Sequence, residues 1–386
     1  MSGAILAAQM RRLTLWVRTA STPTLVAAGV GVAAVFVAAN AVASLDRTGV
    51  KPPAPATLPE LTLRELGGTG PEGVSANFRY ANSLVPATSL VPQASAGGSP
   101  LPLLTGASGR LWYANGRLRM EFQTDQGDTQ LVVKGTHALM YDASDGTAFA
   151  ATLPSIATLG RIRTGLAGAS QLLGRVRSSL GISTPMPGVT AGRPSYTVHM
   201  TPLRSPGLLS KATLSVDADT GTPLRLDVYG RGQAKPLVEF ALSNVHYGAV
   251  DPSVFNLRLP FGMHPVPVRF GGPPSLGATV SCSAPAELGG LPLQSCREAS
   301  RSDELPGRLL LYGRSFGSVV VLEQPGGGDP GGGLWGLLPS VSVHGGEGRE
   351  LVTPLGAVVR FARGGVTYTV LGSMPRATVE AVARGL

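Results

Sequence analysis

The sequence predicts an α+β fold: a curled antiparallel β-sheet, an incomplete barrel wrapped around helices, with a smaller C-terminal α+β unit and one transmembrane helix ahead of both. Three observations predict it. Short runs of alternating apolar and polar residues recur from Val74 onward, separated by turn signals. One stretch, Ile156–Leu180, changes to a period of three and four residues. The stretch Thr19–Leu45 carries no charge and holds an apolar run from Leu25 to Ala43.

A bilayer core about 30 Å thick needs ~20 apolar residues in helix, and Thr19–Leu45 is long enough. Arg11, Arg12 and Arg18 precede it, and Asp46, Arg47 and Lys51 follow. The positive-inside bias leaves residues 1–18 as a cytoplasmic stub and exports the rest, placing the protein in the cell membrane as a single-pass chain. Ala41-Val42-Ala43 before Ser44 also matches a signal-peptide cleavage pattern, but the apolar stretch exceeds the usual ~7–15-residue length and favours an uncleaved anchor. A lipid anchor is excluded, because no cysteine precedes Cys282. Residues 46–59, with KPPAPATLP from Lys51 to Pro59, read as a stiff Pro-rich linker that lifts the following domain off the membrane.

With 52 glycines, 32 prolines and only 14% charged residues among 386, the chain is turn-rich and strand-rich. Its net charge of +9 points to an anionic membrane surface or an acidic wall polymer, since an exported chain meets no nucleic acid. From Gly146 to Val216 there is no Asp or Glu, while Arg161, Arg163, Arg175, Arg177, Arg193, Arg204 and Lys211 all occur. A solubilising arginine surface explains this run, and a membrane-facing surface is the sharper reading.

The elements follow in order. Glu60–Leu66 is a short helix, Val74–Val85 a strand, and Pro86–Ser108 a small-residue insertion. Leu111–Ala114 and Arg117–Gln123 flank Asn115-Gly116, a pair whose turn positions both want positive φ. Thr129–Lys134, Ala138–Asp142 and Ala148–Leu153 continue the meander. Ile156–Leu180 lines up Leu159, Ile162, Leu166, Ala169, Leu173, Val176 and Leu180 as an amphipathic helix packed on the sheet. Strands resume at Ser195–Pro202, Leu208–Asp217, Pro223–Tyr229, Leu237–Tyr247 and Val254–Arg258, and Pro260–Pro274 reads as a linker. The second unit, 284–386, holds strands at Arg308–Tyr312, Ser318–Leu322, Gly356–Ala362 and Val366–Leu371, with a helix at Pro375–Gly385. Cys282 and Cys296, the only cysteines, read as a disulfide in an exported chain.

These residues resemble a known family. GRLWYANGRLRMEF (109–122), ALMYDASDGTAF (138–149), RPSYTVHMTP (193–202), ATLSVDADTGTPLRLDVYG (212–230) and VEFALSNVHYGAVDPSVFNLRLPFGMHPV (238–266) are similar in order and spacing to LolA/LolB-like proteins of actinobacteria. The pattern D-x-x-T-G-x-P-L-R-x-x-V at 217–228 is its signature. That superfamily includes the lipoprotein carrier LolA, the lipid carrier LppX and the sigma-factor regulatory sensor RseB. The resemblance spans residues 60–266. It implies an apolar cavity for acyl chains of a lipid or lipoprotein, or a sensor that binds a membrane anti-sigma factor. Alternation nominates Leu118, Met120, Phe122, Leu131, Val133, Leu139, Tyr141, Leu214, Val216 and Leu226 as cavity walls, and the same side chains equally suit a filled core.

Catalytic chemistry finds little support. Gly313-Arg314-Ser315-Phe316-Gly317 fits the G-x-S-x-G elbow of hydrolases, yet that elbow needs a following helix and Ser318–Leu322 reads as strand. The five histidines are dispersed, Gly326–Gly333 lacks a following Lys and Ser/Thr, and Asp217 with Asp219 reads as a hairpin tip. The expectation is a non-enzymatic binding protein with no cofactor and no metal: a tethered carrier or sensor first, a regulator of an anti-sigma factor second, and a serine hydrolase last.

Overall fold

A computed structural model of the chain describes residues 50–58, 70–84, 106–124, 127–144, 146–152, 180–203, 207–269, 282–299, 307–326, 335 and 338–386. The predicted membrane segment and the Glu60–Leu66 helix lie outside the described residues, as does the Ile156–Leu180 helix except for Leu180, which opens a strand. Among the described residues no helix is long and apolar enough to cross a membrane.

The strands are β1 (Gly73–Asn82), β2 (Gly106–Ala114), β3 (Arg117–Thr124), β4 (Gly127–Lys134), β5 (His137–Asp142), β6 (Thr147–Thr152), β7 (Leu180–Ile182), β8 (Met186–Thr190), β9 (Arg193–Pro202), β10 (Leu209–Asp217), β11 (Pro223–Gly230), β12 (Val238–Tyr247) and β13 (Val266–Arg269). A second set follows: β14 (Glu287–Leu288), β15 (Leu291–Ala299), β16 (Gly307–Arg314), β17 (Gly317–Pro325), β18 (Ser340–Val343), β19 (Gly346–Thr353), β20 (Gly356–Arg363) and β21 (Val366–Gly372), then the helix α1 (Arg376–Arg384).

The first thirteen strands form one open sheet in the order β13-β6-β5-β4-β3-β2-β1-β12-β11-β10-β9-β7, with β8 also on β9. Two antiparallel meanders, β1–β6 and β9–β12, meet at the β1–β12 ladder. The β2–β3 turn takes positive φ at Asn115 (51°) and Gly116 (71°), as its sequence requires. The sheet does not close into a barrel, and the architecture is mostly antiparallel β.

Three expectations change. Val254–Arg258 is no strand: Pro252–Phe255 is a 3-10 turn, with the Asp251 carboxylate accepting from the Ser253 N–H at 2.8 Å and Pro252 supplying a fixed φ. The predicted linker Pro260–Pro274 contains β13, which pairs parallel with β6 at the sheet edge. To reach it the chain crosses one face of β3 and β4, where the Arg119 guanidinium donates to the Val254 carbonyl at 2.8 Å. The Pro-rich linker is also not wholly free, because the Tyr196 hydroxyl donates to the Ala54 carbonyl at 2.7 Å.

The other eight strands form a second antiparallel sheet, β14-β15-β16-β17-β21-β20-β19-β18. One of its faces carries Leu310, Tyr312, Val319, Val321, Val359 and Val370, all at 0% exposure, against Val379, Val382 and Ala383 of α1. Each such valine or leucine contributes ~1.5–3 kcal/mol by leaving water. Cys282 and Cys296 are joined as a disulfide, their Cα atoms 5.8 Å apart, beside this core. The two sheets meet where the Leu208 N–H donates to the Ser373 carbonyl at 2.9 Å.

Candidate binding site

Side chains opposite one another in a ladder share a face, so register decides which residues line a common surface. In the first meander one row runs Leu111, Met120, Leu131, Met140, Phe149, and the next runs Leu118, Val133, Ala138, Ala151. In the second meander Val198, Leu214, Leu226, Phe240 and Tyr80 form a row, with Tyr196 and Val216 beside it. Gly109 joins the halves: Phe78 and Phe122 lie on either side of it, rings 5.3 Å apart edge to face, and Phe78 stacks on Phe240 at 5.5 Å. A Cβ on Gly109 would stand 1.7 Å from the Glu121 carbonyl oxygen, so only glycine lets these strands approach so closely.

Eight of the ten residues nominated from alternation therefore share one apolar face: Leu118, Met120, Phe122, Leu131, Val133, Leu214, Val216 and Leu226. Leu139 and Tyr141 do not. They pair with Val132 and Gln130 on the opposite face, and Met140 takes the place expected of them. The segment Ala138–Tyr141 is apolar throughout, so alternation is blank there and only the ladder with β4 sets its orientation.

Burial divides the face. Its centre is packed core, with Met120 at 1%, Phe78 at 2% and Phe122 at 3% exposure. Its flanks are half-buried: Leu131, Val133 and Met140 on one side, Met200, Leu214 and Val216 on the other. Burial also pushes the Tyr80 hydroxyl up to about 12, partly offset by a hydrogen bond to Asn82, so it stays neutral among these side chains. The flanks are where an apolar ligand finds surface still open to it.

The opposite face of the same strands is polar. Arg110 and Arg119 pair with Glu121 at 3.0 and 2.8 Å, Arg225 with Asp227 at 2.6 Å, and His199 faces Thr213 at 3.1 Å. A groove of about 590 Å³ there is edged by Asn77, Arg79, Ser108, Arg110, Gln123 and Ser243. At the β10–β11 turn, Asp217 (1% exposed) uses one carboxylate oxygen to accept from the N–H groups of Asp219 (3.0 Å) and Thr220 (2.9 Å) and the Thr220 hydroxyl. Its other oxygen takes the Arg193 guanidinium, which also lies over the Tyr247 ring at 4.4 Å. Protein donors fill this carboxylate, so Asp217 locks the hairpin and has no oxygen left for a cation.

Ser315, at φ 52°, sits in the tight turn between β16 and β17. A strand follows it where an elbow needs a helix, so the G-x-S-x-G pattern is a hairpin. Among the described residues no group of three or more His, Cys, Asp or Glu side chains is placed to hold a metal.

No family model and no curated protein matches the chain. Solved structures do. The structure of MucB in complex with MucA(peri) is 18% identical and covers 85% of this chain and 96% of its own, at a TM-score of 0.40. The MucA/MucB complex of Pseudomonas aeruginosa is 18% identical over 84% of this chain and 96% of that one, also at 0.40. A putative outer membrane lipoprotein-sorting protein domain from Vibrio parahaemolyticus is 12% identical over 51% and 94%, at 0.19. TM-scores of 0.40 and below leave any functional reading to rest on this chain's own residues.

Proposed function

We propose that this protein is a membrane-tethered extracytoplasmic binding protein that holds an acyl chain of a lipid or lipoprotein against the apolar face of its larger sheet. The observation that supports it is the half-buried flank on either side of a packed centre, Leu131, Val133 and Met140 across from Met200, Leu214 and Val216. Such a surface needs no polar chemistry, because each Å² of apolar area covered contributes ~25 cal/mol. Native mass spectrometry of the 46–386 segment tests it. Co-purified lipid is expected, with loss of that lipid in the double variant Leu214→Asp, Val216→Asp and its retention in Thr201→Asp on an exposed position. A clean apo mass with no lipid uptake on incubation would count heavily against the reading.

A second reading is a regulator that binds a membrane anti-sigma factor. It is supported by a stripe on the smaller sheet's face away from α1: Leu311, Val320, Leu371, Val358 and Leu351 stand side by side across five strands, all half-buried. Pull-downs that recover no such factor, with envelope-stress transcription unchanged by deletion, would sink it. Serine hydrolysis at Ser315 ranks last, for the hairpin geometry given above.

A further inference from the structure

An apolar cavity of about 420 Å³ interrupts the otherwise polar face of the larger sheet, beneath the segment that crosses to β13. Its floor is the cross-strand row Val132, Leu139, Ala150, and Phe255 and Leu257 of the crossing segment form its wall. The small side chain of Ala150 leaves room beside Leu139. Phe255, at 1% exposure, is anchored by packing against Ala114 and Val132, so the wall is fixed in place. Arg119 and Lys134 pin the same segment through Val254 and Asn256.

One end of the cavity is lined by basic side chains. The next row of the ladder is Arg117, Lys134, His137, all exposed, and Lys134 and His137 border the cavity directly. Among the described residues no carboxylate pairs with any of the three. Lys134 instead donates to the neutral Asn256 amide at 2.9 Å. An apolar slot of this volume, ending in unneutralised basic groups, matches in polarity and size a ligand with one alkyl chain and one negative head.

We propose that this cavity binds a single-chain anionic amphiphile, its alkyl chain between Leu139, Ala150, Phe255 and Leu257 and its carboxylate or phosphate on Lys134 and His137. This site is separate from the apolar face of the preceding section, and it stands or falls independently of that reading.

The test is photo-crosslinking of the full chain in phosphatidylcholine nanodiscs with diazirine-bearing dodecanoate, dodecyl phosphate and dodecanol, followed by residue-level mapping. The expected adducts of the two anions fall on Leu139, Ala150 and the 255–257 segment. Ala150→Trp, which fills the slot, abolishes them while any labelling at Leu131 or Leu214 persists. Leu257→Trp serves the same purpose should the first variant fold poorly. Lys134→Gln with His137→Gln weakens labelling by both anions about tenfold and leaves dodecanol unchanged, the size of one charge-assisted contact. If only dodecanoate or only dodecyl phosphate obeys this pattern, the head is assigned to that chemistry. The proposal is overturned if Ala150→Trp and Leu257→Trp leave the adducts intact, if dodecanol labels as well as the anions, or if adducts fall only on the other face.

Discussion

Replacing Asp217 with alanine should cost the larger sheet about 3–5 kcal/mol, the usual cost of removing one partner of a buried ion pair. The carboxylate side chain has no solvent exposure, while its partner Arg193 retains 28%. The substitution leaves the Asp219 and Thr220 N–H groups and the Thr220 hydroxyl without their acceptor, each such loss being worth about 1–3 kcal/mol where water cannot replace it. The effect has a pH signature. Burial pushes this carboxyl up, but the hydrogen bond and charge of Arg193 and the turn N–H groups outweigh it and hold it below the ordinary range. A depressed folded value means the contribution is complete above the unfolded value near ~3.9 and is lost as pH falls through the folded one. Urea unfolding of the 46–386 segment at pH 7, 5 and 3, with hydrogen exchange on β9–β11, measures it. The gap to wild type should be equal at pH 7 and 5 and narrower at pH 3. A gap below about 1 kcal/mol at pH 7, or one that widens in acid, would refute the reasoning.

Three further outcomes are expected. Gly109→Ala should destabilise the β2–β3 region by at least about 3 kcal/mol, since backbone must move to admit the new carbon, and a change in melting temperature within error would contradict this. Replacing Cys282 and Cys296 together with serine should lower the smaller unit's stability by about 3 kcal/mol, from the loop that a separation of 14 closes, with exchange protection in β16 and β17 as the readout. Glu350, 4% exposed, is raised by burial against the partial compensation of Arg376 at 2.7 Å, with Glu380 adding to the rise. A raised carboxyl favours the folded state as pH falls, so Glu350→Gln should be neutral or stabilising at pH 8, and its advantage should vanish by pH 4; a loss of stability at pH 8 would show that the Arg376 pair outweighs desolvation.

Where alternation is clean, the sequence carried the fold. Leu118, Met120 and Phe122 interleave with Arg117, Arg119 and Glu121, and the ladder places them as the pattern implies. Where the pattern is blank or crossed, it misled. Ala138–Tyr141 is apolar throughout, so alternation cannot separate its two faces, and only the ladder with β4 turns Leu139 and Tyr141 away from Leu131 and Val133. Val254–Arg258 reads as a strand because Phe255 to Arg258 alternates, yet Asp251 and Pro252 start a 3-10 turn that takes in Val254 and Phe255. β19 went unread because Arg349 and Glu350 interrupt its apolar residues, and only packing against Arg376 and β20 makes room for a buried glutamate there. The apolar cavity beneath the crossing segment is not legible in the sequence, because its floor and wall lie more than a hundred residues apart along the chain.

The central position of β1 has a mechanical consequence. Tension applied to β1 itself meets a strand that is laddered from Gly73 to Ala81 on β2 and over most of its length on β12. A pull along its axis loads both ladders in shear, so many hydrogen bonds must yield together. A pull on β13 or β7 at the rims, directed away from the sheet, opens a single ladder one rung at a time. The domain is thus strongest along the axis of β1.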